Sequence, residues 1–165
     1  MYLQATLMRV WSPCGQTPIV MVHPGRDKRG FYGTLDLRTG REIVMQSAVF
    51  NAATTARYLE QLLTAYPEVP ILLLWDRASW HRGPEIDAVL ARNPRLEIML
   101  YPVASPDLNP QEHVWKLTRQ AVGHNHTFPR MPELADHFEA HLKSNLFDIS
   151  FLDKYDYFTI CSMFN

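Results

Sequence analysis

Apolar and polar positions alternate with period two through the first third of the chain and recur at helical spacing after it. "TPIVMVH" (17–23), "GFYGTLDL" (30–37) and "REIVMQSAVF" (41–50) read as strands, with Arg38-Thr39-Gly40 as the tight turn between the last two. This predicts an antiparallel meander from Thr17 to Val49. Asn51 then stands where a helix cap belongs, and Leu59, Leu62, Leu63 and Tyr66 fall on one helical face before Pro67 stops the run. "ILLLW" (71–75) is short and continuously apolar, as a central strand covered on both faces should be. Ile86, Val89 and Leu90 mark a helix after Pro84, and "LEIMLY" (96–101) alternates as another strand. A Pro-rich loop, "PVASPDLNP", precedes a helix with Val114, Leu117, Ala121 and Val122 on one side, and a last helix is expected from about Pro132 to Lys143. The order predicts an α/β or α+β domain with a mixed sheet over residues 1–145. The aromatic-rich tail, 146–165, has no clear period and stays unassigned.

Composition narrows the function classes only a little. A chain of 165 residues with 47% hydrophobic content suits one well-buried domain. Sixteen basic against seventeen acidic residues leave a formal charge of −1, so any grip on nucleic acid must come from a local patch. Cys14 and Cys161 show no CxxC and no zinc spacing, which suits a reducing, cytosolic setting. The N-terminus lacks a signal-peptide layout, and no apolar run approaches the roughly 20 residues of a membrane span. A soluble protein without a membrane partner is expected.

Two carboxylates draw the chemistry. Asp76 stands at the carboxyl end of "ILLLW", where open α/β sheets gather their ligands. It can ligate a metal there, or simply close an Asx turn. Glu112 falls third in a helix that Asn109 can cap and Pro110 can open, so it can reach back to the cap, pair with Lys116, or face a ligand. The stiff preamble "YPVASPDLNP" suggests a side chain that must be held in place.

"WDRASWH" (75–81) followed by "LYPVASPDLNPQEHVWK" (100–116) resembles the catalytic core of the mariner-like DDE transposases of bacterial insertion sequences. In that family a strand-end D-N-x-x-x-H precedes L-P-x-Y-S-P-[DE]-L-N-P-[IQ]-E-x-x-W. "MRVWSPCGQTPIV", "FYGTLDLRTGREI" and "AVGHNHTFPRMPELADHFEAHL" extend the likeness over roughly residues 5 to 143. The resemblance implies a ribonuclease-H-like mixed sheet flanked by helices, and cleavage and strand transfer at DNA phosphodiesters. It implies that Asp76 and Glu112 take the second and third acidic positions of a three-carboxylate set holding two Mg²⁺ or Mn²⁺ ions about 4 Å apart. His81 matches the motif's His and is a candidate to orient water or phosphate, and Asn109 a candidate support for Glu112. Arg77, which stands where the family has Asn, is a candidate phosphate contact together with Lys116 and Arg119.

The first acidic position has no counterpart, because no acid precedes Asp27. Asp27 lies in the polar "GRDKRG" turn and Asp36 in a hairpin, and neither suits the role. A truncated or missing first strand is therefore expected, whether from a second reading frame, a start-site truncation or a decayed copy. Activity of the chain alone should be impaired. Implied partners are transposon-end and target DNA, with a homodimer in the full enzyme and a bacterial cytoplasmic, nucleoid-associated setting. Two rivals stay open: a catalytically dead remnant that binds DNA weakly or dimerises, and a metal-dependent hydrolase of a small phosphorylated substrate. His137 and His141 have helical zinc spacing but no H-E-x-x-H arrangement, which favours solvent-facing or capping roles. Trp115 is expected to pack beneath the helix that carries Glu112.

Overall fold

The computed structural model describes residues 7–21, 27–103, 108–156 and 159. Strands β1 (Gly30–Leu35) and β2 (Glu42–Ser47) form an antiparallel hairpin in register from Gly30↔Ser47 to Leu35↔Glu42. Asp36 builds its turn, accepting from the Arg38 N–H and the Thr39 hydroxyl at 2.8 Å each, and from the Tyr66 hydroxyl at 3.1 Å. Partial burial pushes the Asp36 carboxyl up, but these hydrogen bonds outweigh it and hold the group below its ordinary value. Asp36 is thus a structural carboxylate. Gly40 closes the turn at φ +72°, where a Cβ would meet the Phe147 carbonyl oxygen at 2.3 Å.

Helix α1 (Ala52–Ala65) begins as its sequence predicts, with the Asn51 side chain accepting from the Thr54 N–H at 2.8 Å. Strands β3 (Ile71–Trp75) and β4 (Leu96–Leu100) pair in parallel across helix α2 (Pro84–Arg92). Helices α3 (Pro110–Thr118) and α4 (Met131–Ser144) follow. Because side chains alternate across the hairpin, it is covered twice. Tyr32 and Ile43 face Leu59, Leu62, Leu73 and Val89, while Leu35 and Val44 face Val114, Phe138, Leu142 and Phe147. The tail adds Phe147 and Leu152 to the buried set, with Leu146 bridging to Arg41.

Three expectations change. Thr17–Met21 forms no strand, and residues 22 and 23 lie outside the described residues. Ile19 is 89% exposed, so its alternation finds no neighbour to bury one face against, and the meander reduces to the β1–β2 hairpin. Among the described residues β3 has one neighbour instead of two, and Leu72 is 49% exposed. The helix of Glu112 leaves the 3.6 period after Thr118 and continues as a π turn over Arg119–Gly123, which holds Ala121 and Val122.

Candidate active site

Asp76 follows directly on β3 and is held from two sides. Its Oδ1 accepts from the Ala78 N–H at 3.0 Å, the Asx turn foreseen for it, and faces His81 Nδ1 at 2.8 Å. The Asp76 side chain is half exposed, whereas that of His81 is largely covered by Trp75 and Trp80. Burial lowers the His81 pKa below its ordinary value, and the Asp76 charge opposes that only in part. The ring is therefore neutral near pH 7. Since a carboxylate only accepts, the proton sits on Nδ1 and is donated to Asp76, leaving Nε2 as an acceptor.

Glu112 lies in the first turn of α3. Asn109 caps that turn, accepting from the Gln111 N–H at 3.1 Å, and Pro110 occupies the first helical position. Among the described residues the Glu112 side chain makes no hydrogen bond or ion pair, so neither the cap nor Lys116 occupies it. Trp115 packs as expected beneath the helix, 6.2 Å from the Phe138 ring and so close to Gly33 that a Cβ there would lie 2.4 Å from the indole. Only glycine at position 33 lets α3 sit this near the hairpin.

Glu42 escapes pattern reading. It begins β2 on the α3 side of the hairpin and is almost fully buried. Its Oε1 accepts from the Gln111 amide at 2.6 Å, while Glu42 Oε2 and Gln111 Oε1 are both buried without partners. Burial raises the Glu42 carboxyl to about 8, and the Gln111 hydrogen bond pulls against it. A proton on Oε2 would turn one orphan acceptor into a donor. Glu42 thus holds the residue next to Glu112 as a neutral acid. The only hint in the sequence is that Glu42 shares the period-two face of Val44.

Asp76 and Glu112 both line one cavity of about 770 Å³, together with Trp80, His81, Asn109 and Trp115. They enter it from different anchors. Asp76 stands by His81 and Trp80, near Phe50 and Tyr32, while Gln111 fixes the start of α3 to Glu42, opposite Leu35. Arg77, Lys116 and Arg119 are exposed outside the cavity wall, with the Arg77 Nε donating to the Tyr101 carbonyl at 3.0 Å. Asp107 lies outside the described residues. The donors have the right chemistry for a hard divalent cation, being carboxylate oxygens open to solvent. Their number does not suffice, since the described residues contain no group of three or more His, Cys, Asp or Glu close enough to hold an ion. His137 and His141 belong to no such group among the described residues.

The model of the DDE superfamily endonuclease family matches residues 2–135. The chain belongs to this family. It is 27% identical over 126 residues to an uncharacterized 39 kDa protein of insertion element IS630 from Shigella sonnei, covering 75% of this chain and 36% of that protein. Its fold is similar to that of the Mos1 transposase in a paired-end complex with left transposon end, at TM-score 0.65 and 15% identity over 88% of this chain and 46% of the other. A Mos1 mariner paired-end complex with Mn gives TM-score 0.57, again at 15% identity, over 85% and 44%. The chain thus spans about a third of the IS630 protein and under half of each Mos1 chain. These likenesses bear out the mariner-like resemblance and the ribonuclease-H-like mixed α/β fold. DDE transposases use divalent metal ions.

Proposed function

We propose that this chain is part of the catalytic core of an insertion-element transposase that cuts and joins DNA phosphodiesters with Mg²⁺ or Mn²⁺, with Asp76 and Glu112 as two of its metal-binding carboxylates. The observation that carries this reading is that two acids 36 positions apart in sequence, each in its family motif, line one cavity. His81 acts by positioning: its Nδ1 proton fixes the Asp76 carboxylate and leaves the other oxygen to turn outward. Asn109 orients the turn that carries Glu112. Arg77, Lys116 and Arg119 grip phosphates without reading bases, so the binding they give is weak and salt-dependent. Transposon-end and target DNA, a homodimer of the full enzyme and a bacterial cytoplasmic setting belong to the same reading. No described helix is long and apolar enough to cross a membrane.

Two carboxylates in place of three favour a second reading, a domain that binds DNA but does not cut it by itself. One experiment separates the two. The chain is extended at its N-terminus by an apolar strand ending in Asp, or in Ala as control, and incubated with supercoiled plasmid and Mn²⁺. The first reading expects nicking with the Asp extension only, abolished by Asp76→Ala or Glu112→Ala. Equal nicking by all of these proteins would sink it, and no nicking by any leaves the second reading in its place.

A further inference from the structure

The hairpin face that meets α3 carries one side chain that stability does not explain. Phe31, Leu35 and Val44 pack there against Val114, Phe138 and Leu142, and Glu42 stands among them at 2% exposure. Burying an acid is costly unless its hydrogen bonds are made, and an apolar side chain of similar size would cost less. What the apolar side chain would lack is direction. Glu42 Oε1 accepts from the Gln111 side-chain amide at 2.6 Å, and that bond fixes where the Gln111 flank of α3 lies on the hairpin.

Gly33 completes the arrangement. It lies on the same face of β1, between Phe31 and Leu35, and a Cβ there would meet Glu42 Oε1 at 2.3 Å and the Trp115 ring at 2.4 Å. Gln111 and Trp115 stand at i and i+4 in α3, so they share one flank of the helix. Both reach the hairpin at the space that Gly33 leaves open. The inner face of α3 gives no comparable hold on rotation. Val114 meets apolar neighbours, and the buried Thr118 hydroxyl has no partner among the described residues. Apolar attraction is non-directional, so it holds a helix against a sheet while fixing its roll less sharply than a hydrogen bond does.

Roll matters because of the next residue. Glu112 follows Gln111 by about 100° around the helix axis and is exposed, and it lines the same cavity as Gln111, Gly33, Trp115 and Asp76. Side-chain ends lie about 5–6 Å from a helix axis, so a roll of about 10° carries the Glu112 carboxylate about 1 Å. A binding constellation has to be held within about 0.5 Å. A small rotation of α3 is therefore enough to separate Glu112 from whatever Asp76 holds.

We infer that Glu42, Gln111 and Gly33 form a rotational lock on α3 that sets where the Glu112 carboxylate stands in the cavity, with Glu42 a positioning residue acting through Gln111. The consequence for metal binding rests on the transposase reading of Glu112. The lock itself rests only on the contacts of Glu42, Gln111, Gly33 and Trp115.

The test reads the two separately, on the whole chain. Residual dipolar couplings of the α3 amides report how far the helix is rolled relative to the β1–β2 hairpin, without any metal. Glu42→Leu removes the acceptor, and Gly33→Ala drives a methyl between Glu42 and Trp115, so each should roll α3 by about 10° or more. Glu42→Gln keeps an acceptor for the Gln111 amide and should leave α3 in place. So should Val89→Ala, which weakens the buried cluster on the other side of the hairpin. Mn²⁺ affinity, followed by electron paramagnetic resonance, should fall at least about tenfold in the two rolled variants and be kept in the other two. An α3 that stays in place in whichever of Glu42→Leu and Gly33→Ala folds would overturn the lock, whatever Mn²⁺ does. A roll in Val89→Ala as large as in Glu42→Leu would overturn it too, by showing that rotation merely follows lost stability. A rolled helix with unchanged Mn²⁺ affinity would uphold the lock and sink the metal-binding role of Glu112 instead.

Discussion

The β1–β2 hairpin has two outer edges, and the protein treats them differently. On β2 the outward-facing Val44 carbonyl is taken by the Gln61 side-chain amide at 3.0 Å. On β1 the corresponding groups face a cavity. The outer edge of β2 is thus capped by a side chain, as natural edges are, whereas among the described residues β1 carries no such cover. The contrast leaves the β1 edge, and the β3 edge across the cavity, without a second strand neighbour among the described residues. Stability and openness are therefore segregated, with the closed half holding Glu42, Val44 and Leu142 and the open half holding Asp76.

The largest way to strain the closed half is through Glu42. Its folded pKa, about 8, lies above the ordinary 4.5, so its protonated form contributes stability that is complete below about pH 4.5 and is lost as pH rises through about 8. The ceiling on that loss is about 5 kcal/mol, reduced by any relaxation that lets water in. Urea unfolding from pH 5 to 8.5 should show stability falling across this window. Glu42→Gln, which keeps a neutral polar group beside Gln111, should flatten the slope. A wild-type slope that survives in the variant would place the titrating group elsewhere.

Truncations on the two halves should differ next. Leu142→Ala, in the fully buried cluster, is expected to cost about 2–5 kcal/mol, whereas Leu72→Ala, on the open edge, should cost about 0.5 kcal/mol or less. Equal costs for the two leucines would erase the contrast between the halves.

The smallest effects belong to the exposed cations. Lys116→Ala or Arg119→Ala should change stability by less than about 0.5 kcal/mol and lower the salt slope of DNA binding by about 1 each. Anisotropy at several salt concentrations reads this. Loss of preference for one DNA sequence over another, instead of a uniform weakening, would show that these side chains read bases.

Helices were the most legible part of the sequence because each stacks its own signals. Asn51 and Asn109 cap, Pro84 and Pro110 open, and Leu59, Leu62, Ile86 and Val89 fall on one face, all within a few residues of one another. The hairpin was legible for the same reason, through its Arg38-Thr39-Gly40 turn. Strand neighbours are a non-local property, so "TPIVMVH" and "ILLLW" carried the right composition without showing what lay beside them. The motif acids were legible as a pair, and their shared cavity follows from fold. The burial of Glu42 was not, because an acid on an alternating strand looks the same whether its face meets water or a helix.

Whether Asp76 and Glu112 act on one ion is tested most directly by titrating Mn²⁺ into the chain and following the free-ion signal by electron paramagnetic resonance. The reading predicts weak binding in the wild-type chain, strengthened by an N-terminal strand ending in Asp, and lost in Asp76→Ala and in Glu112→Ala alike. Binding that is unchanged by either substitution, or that disappears with one and survives the other, would contradict a shared site.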